Sequence, residues 1–122
     1  MIIGCAFAGR VLEGVPFVQG WGVEIGLLVD VTNRFGIDAV DQVDLGVRVH
    51  RNRSLDDLGV QAMAILVTAL RRAGLTHPTV AAELRRFDAE LRPEHVPVEV
   101  HDRPPMLSLP AYRAKFDREL SA

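Results

Sequence analysis

At 122 residues, 48% hydrophobic and 25% charged, the chain has the size and balance of one soluble globular domain, long enough to bury a core. A net charge of -2 excludes bulk attraction to nucleic acid or anionic lipid, so neither partner is expected. Cys5 is the only cysteine, which excludes an intrachain disulfide and a thiolate zinc cluster and fits a buried apolar side chain in a cytoplasmic protein. The start Met1-Ile2-Ile3-Gly4 lacks the basic and long apolar regions of a signal peptide. The most apolar stretch, Ala62 to Leu70, falls well short of the ~20 residues a membrane span needs. Lys115 is the only lysine; an arginine bias serves phosphate and carboxylate recognition, but GC-rich coding produces it too.

The first twenty residues read as loop, punctuated by Gly4, Gly9, Gly14, Pro16 and Gly20. Val23, Leu27 and Val31 then repeat at helical spacing and Gly36 supplies a stop, predicting a helix over 23–35. From Gln42 to His50 the pattern alternates. Val43, Leu45, Val47 and Val49 take one face of a strand, and Asp44, Gly46, Arg48 and His50 take the other. Ser54, with Asp57 three residues on, reads as a capping box opening a helix to about Ala73, ended by Gly74. Its apolar run over 62–70 predicts cover on more than one face.

A second helix is expected from about Thr79, with Val80, Leu84, Phe87 and Leu91 as its stripe and Pro93 as its stop. Val96 to Val100 suits a short edge strand. Leu109 to Leu120 reads as a terminal amphipathic helix carrying Tyr112, Phe116 and Leu120, with possible Arg113–Asp117 and Lys115–Glu119 pairs. The predicted class is α/β, few strands with three or four helices. A lone strong strand cannot satisfy its own backbone, so the pattern suggests an α+β fragment of something larger.

If the strand continues past His50, Arg48, His50 and Asn52 share its polar face. An arginine fork, a metal- or proton-binding imidazole and an amide make a reasonable site for an anionic, hydroxylated ligand. A solvent-facing polar strand is the competing reading, and the pattern alone leaves both open. Asp56-Asp57 fits N-capping, and Arg71-Arg72 and Arg85-Arg86 fit solvated helix faces. His77, His95 and His101 share no ligand spacing with His50.

Four blocks in order carry a resemblance. They are Ala8-Gly9-Arg10, the run from Pro16-Phe17 through Gly20-Trp21-Gly22-Val23-Glu24 to Asp30, the run Gln42 to Asn52, and Asp102-Arg103-Pro104-Pro105-Met106. Together they resemble the C-terminal portion of glucosyl-3-phosphoglycerate synthase, a retaining glycosyltransferase family. The resemblance implies a GT-A fold, with residues 1–107 as its acceptor- and metal-side part and 108–122 as a terminal helix. It implies transfer of glucose from UDP-glucose to 3-phosphoglycerate, assisted by Mg2+ or Mn2+. Carried over by position, His50 is the metal ligand, Arg48, Asn52 and Trp21 contact the acceptor, and Glu24 contacts sugar hydroxyls.

The chain departs from the family in lacking an Asp-x-Asp motif and a nucleotide-binding half. The family's Gly-Glu-Tyr-Ala-Gly-Arg reads here as Cys5-Ala6-Phe7-Ala8-Gly9-Arg10, and Trp21 replaces a tyrosine. The implied role is therefore an acceptor-binding half, not catalytic alone, that self-associates or takes a partner chain supplying the missing half. The alternative is a non-catalytic remnant acting as a self-associating or regulatory domain.

Overall fold

The structure, a computed structural model, describes residues 3–6, 9–47, 49, 54–77 and 81–116. Its centre is a long helix, α3 (Leu55–Arg72). The elements before it are β1 (Ile3–Ala6), α1 (Gly9–Glu13), β2 (Phe17–Val18), a 3-10 turn over Gly20–Gly22, α2 (Val23–Phe35) and β3 (Asp41–Asp44). After it come β4 (Ala82–Phe87), β5 (Pro93–Val98), β6 (Asp102–Arg103) and α4 (Pro110–Phe116). The strands form three two-stranded antiparallel sheets, β1 with β3, β2 with β6 and β4 with β5.

The two main helices are set by local signals. The α2 helix covers the predicted span and stops at Gly36, whose φ of 87° suits glycine. The N-cap of α3 is Ser54, whose Oγ accepts from the Asp57 amide at 3.2 Å, and Asp56 and Asp57 place negative charge in its first turn. Gly74, at φ 69°, follows its C-terminus.

One face of α3 builds the core. Ala64 and Val67 pack with Val18, Val98 and Val100, and Val60, Met63, Ala82 and Leu84 close around them. The absence of a side chain at Gly59 admits Leu84, whose Cδ2 would lie 3.3 Å from a Cβ there. Contrary to the expected cover on several faces, Leu58, Ile65 and Leu66 of α3 stay exposed. The apolar run therefore serves two faces, of which this fold covers one.

Four further expectations need correction. The amino-terminal region is not all loop, since β1, α1 and β2 lie within it. Gly4 lies within β1, Gly9 opens α1 and Gly14 follows it, so these glycines do not abolish the short elements. The helix expected from Thr79 is instead the β4–β5 hairpin. Residues 78–80 lie outside the described residues, but from Ala82 onward the side chains alternate between half-buried and exposed. Leu84 faces the core, whereas Phe87 and Leu91 point to solvent, so their helical spacing is coincidental. Asp88 makes the turn, its Oδ1 accepting from the amides of Glu90 and Arg92 at 2.9 Å each.

The edge strand expected over 96–100 is part of β5, which begins at Pro93 and pairs fully with β4. The strand expected to reach His50 pairs only over Asp41–Asp44. Gly46 takes φ 70° with its amide held by Asp44 Oδ1 at 2.8 Å, a local turn that ends the ladder. The terminal helix is described as Pro110–Phe116, with Tyr112 and Phe116 rings 4.7 Å apart; residues 117 onward, including both suggested ion-pair partners, lie outside the described residues.

Arg72 fastens three elements. Its Nε bonds Asp30 of α2 at 2.8 Å and its Nη1 bonds Asp102 of β6 at 2.8 Å. Both Arg72 and Asp30 side chains are only 15% exposed, so this is not the solvated helix face that the sequence suggests. Burial pushes the Asp30 carboxyl up more than Arg72 pulls it down, while hydrogen bonding to Asp102 holds Arg72 firmly charged. Arg71 contributes a separate bond, donating to the Val100 carbonyl at 2.6 Å. Arg72→Met is expected to lower stability by about 2 kcal/mol in urea unfolding, because it strands a largely buried Asp30. Asp30→Asn in that background is expected to recover part of the loss.

Candidate functional site

The candidate site forms where α2 begins. The β2–β6 pair and a bond from the Gln19 amide to the His101 carbonyl, at 2.8 Å, hold the chain entering the 3-10 turn. Gly20 takes φ 78°, which swings Trp21 outward. Gly22 and Gly26 then lie directly on neighbours: a Cβ on Gly22 would strike Thr68 Oγ1, and one on Gly26 would come within 2.6 Å of Val18 Cγ2. Thr68 is fully buried, with its hydroxyl satisfied by the Ala64 carbonyl at 2.8 Å. The start of α2 is thus pressed against α3, and Trp21 is presented at a fixed point.

Trp21, 48% exposed, lines an open cavity of about 350 Å³. Asp56, Asp57, Val60 and Gln61 of α3 form one wall, and Arg86 and Val96 of the hairpin form another. Arg86 bonds its cross-strand partner Glu94 at 2.6 Å. That bond holds the Arg86 guanidinium more firmly charged, with lesser help from Asp56 and Asp57, and it pulls the Glu94 carboxyl down.

An indole ring beside two carboxylates and an amide presents a flat apolar surface ringed by acceptors. This suits a hydroxylated ligand such as a sugar better than an anion, because the one cation among the described residues of the wall is already paired. Sequence reading placed Trp21 at the site but treated Asp56-Asp57 only as a cap and Arg85-Arg86 as a solvated helix face. In the structure Ser54 is the cap, the acidic pair in the first turn lines the wall, and Arg86 lies on a strand. Neither additional role has a local sequence signal, since each depends on the hairpin folding over α3.

Glu24 is exposed in the first turn of α2, one turn beyond Trp21, and is not among the cavity's lining residues. Arg48, His50 and Asn52 lie outside the described residues. Of the other histidines, His95 contacts Glu83 on the outer face of the hairpin, and His101 lies 3.7 Å from Glu99. Among the described residues no three His, Cys, Asp or Glu side chains gather to hold a metal ion. No described helix is long and apolar enough to cross a membrane.

No protein-family model matches the chain. Among curated proteins, the glucosyl-3-phosphoglycerate synthase of Mycobacterium tuberculosis H37Rv is 43% identical over 107 residues, 83% of this chain and 32% of the relative. That of Petrotoga mobilis is 34% identical over a 127-residue alignment, covering 93% and 38%. The fold agrees. A crystal structure of the M. tuberculosis synthase with Mn2+, UDP-glucose and phosphoglyceric acid superposes with a TM-score of 0.69 at 45% identity, covering 80% of this chain and 33% of that one.

Over most of its length the chain is similar to the C-terminal portion of glucosyl-3-phosphoglycerate synthases.

It spans about a third of the length of the curated relatives it matches, consistent with their C-terminal portion. Its mixture of helices and short antiparallel strands is that part of the family's GT-A glycosyltransferase fold. A synthase of the same species has also been crystallised with UDP alone, and it superposes with a TM-score of 0.68.

Two consequences of the geometry are open to measurement. Gly22→Ala is expected to destabilise the chain by about 1–3 kcal/mol through overpacking. Trp21 is the only tryptophan, so its emission should report the displaced turn, and Thr68→Ala should restore part of both. Glu94 has a folded-state pKa below its ordinary 4.5, so its contribution is complete above that value and fades as pH falls through the folded value. Protection of the hairpin amides, taken relative to their intrinsic exchange rates, should fall across that acid window, and Glu94→Gln should remove the pH step.

Proposed function

We propose that this chain provides the acceptor side of a glucosyl-3-phosphoglycerate synthase site. In this reading Arg48 and Asn52 hold the phosphate and carboxylate region of 3-phosphoglycerate, with Trp21 beside it. Glu24 orients glucose hydroxyls, and His50 contributes one ligand to Mg2+ or Mn2+. The observation that carries the reading is the match to M. tuberculosis synthase structures crystallised with UDP-glucose and phosphoglyceric acid over 80% of this chain. The aromatic and acidic cavity at the start of α2 supports a hydroxylated ligand close by.

The chemistry of each group fits its assignment. A guanidinium forks onto phosphate or carboxylate through paired charge-assisted bonds. Holding the acceptor beside the anomeric carbon of the donor supplies proximity, the largest contribution a non-nucleophilic half can make. Glu24 then positions glucose hydroxyls and forms no covalent bond to the sugar. A divalent metal, when bound, offsets charge on the departing diphosphate. The described residues do not by themselves fit such an ion, so no step is assigned to it. Transfer then requires a nucleotide-binding half from another polypeptide region or chain.

Calorimetry with 3-phosphoglycerate tests the acceptor role. Arg48→Ala is expected to weaken binding roughly 30-fold, equivalent to about 2 kcal/mol for a charge-assisted fork. Unchanged affinity in Arg48→Ala, or no binding by the wild-type chain, would remove the basis of this reading. Transfer of glucose by the chain alone would overturn the need for a second half.

A further inference from the structure

The cavity beside Trp21 selects its ligand by size, hydrogen bonding and charge. Its volume of about 350 Å³ lies at the small end for ligand sites, which run from roughly 300 to 1,000 Å³, so it suits one ring better than an extended chain. Its polar lining is mixed. Asp56 and Asp57 only accept, Arg86 only donates, and Gln61 does both. Sugar hydroxyls use that mixture, because each one donates and accepts. The indole of Trp21 adds a flat apolar face that the C–H side of a pyranose can cover. Glu24 is not in the lining, so this surface is additional to the one assigned to Glu24 above.

Charge adds a further selection. Among the described residues, the carboxylates of Asp56, Asp57 and Glu94 surround the single guanidinium of Arg86. Glu94 bonds Arg86 at 2.6 Å across the hairpin, and the negative charge of both aspartates also acts on that guanidinium. The surplus is negative. The cap bond of α3 runs from the Asp57 amide to Ser54 Oγ, so neither aspartate side chain is committed to it. A ring carrying its own carboxylate or phosphate would meet like charge on entry, whereas an uncharged ring would meet only hydrogen-bond partners.

We propose that this cavity is a subsite for an uncharged hexopyranose ring, and that Asp56 and Asp57 set its specificity by turning away anionic sugars. Trp21 is the platform on which the ring stacks, and Gln61 and Arg86 supply donors to its hydroxyls. The proposal rests on the acceptor-side reading above, but it names a selection between sugars that the earlier reading does not require.

The test reads Trp21 emission, because Trp21 is the only tryptophan of the chain and lines the cavity. The full chain is titrated with methyl α-D-glucopyranoside and with the matching uronate, which carries a carboxylate on the same ring. The neutral glycoside is expected to bind roughly tenfold more tightly, or better. Asp56→Asn/Asp57→Asn is expected to bring the two sugars within about twofold by raising affinity for the uronate. The cap bond survives in that variant, so its circular dichroism should match the wild type. Glu94→Gln, which unpairs Arg86, is expected to favour the uronate in the same direction, and Glu24→Gln is expected to leave the response as it is. No saturable response to the neutral glycoside would overturn the subsite, and so would a response lost in Glu24→Gln. Equal binding of the two sugars by the wild type, or a preference that survives the charge variants, would overturn the selection. Calorimetry with 3-phosphoglycerate on the same samples separates the two readings. Acceptor binding without a glycoside response defeats the subsite alone, and a glycoside response without acceptor binding defeats the acceptor role alone.

Discussion

The contact between Gly22 and Thr68 is the constraint on which the rest of the arrangement depends. Thr68 is fully buried and spends its hydroxyl on the Ala64 carbonyl, so no polar atom is left wanting a partner when backbone is pressed against it. Only a glycine permits that approach. Ala64, Thr68 and Arg72 follow at four-residue intervals, so they fall on one side of α3. That side changes from apolar contact through a satisfied hydroxyl to a charged clamp on Asp30 and Asp102. The cation falls in the last turn of α3, where the helix dipole favours it. The direction of α2, and with it the placement of Trp21 and Glu24, is thus held at two points about one turn apart.

The parts of this fold legible in the sequence are those decided within a few residues. Gly36, Ser54 and Gly74 mark helix ends because capping and left-handed φ are local requirements. The hairpin was illegible for the opposite reason. Leu84, Phe87 and Leu91 satisfy a helical stripe, and only the inward packing of Leu84 beside Gly59, with pairing across to β5, selects the strand. That pairing joins Arg86 to Glu94 and carries Arg86 to the cavity beside Asp56 and Asp57. The wall opposite Trp21 was therefore invisible until the hairpin was known. The alternation from Gln42 to His50 predicts a longer strand than forms, because periodicity does not provide a partner, and among the described residues the ladder covers Asp41–Asp44.

The electrostatics of the cavity separate two kinds of recognition. Glu94 engages the charge of Arg86, while Asp56 and Asp57 contribute acceptors and negative charge. An anionic acceptor would find little attraction in that wall, whereas sugar hydroxyls would find several acceptors and an indole surface. Capture of phosphate and carboxylate is the role proposed for Arg48. The family resemblance points to the polar residues of the 42–52 run, and the structure adds a cavity wall of complementary character. Trp21 is the one residue that both lines of reasoning reach.

Core and sheets differ in how complete they are, and the difference bears on function. Around Val18, Val67 and Val98 the packing closes on itself, which explains how a third of a synthase keeps its fold recognisably. Among the described residues every sheet, by contrast, has two strands, and α3 leaves a third of its apolar run exposed. A core that closes can hold Trp21 and its cavity in place without help.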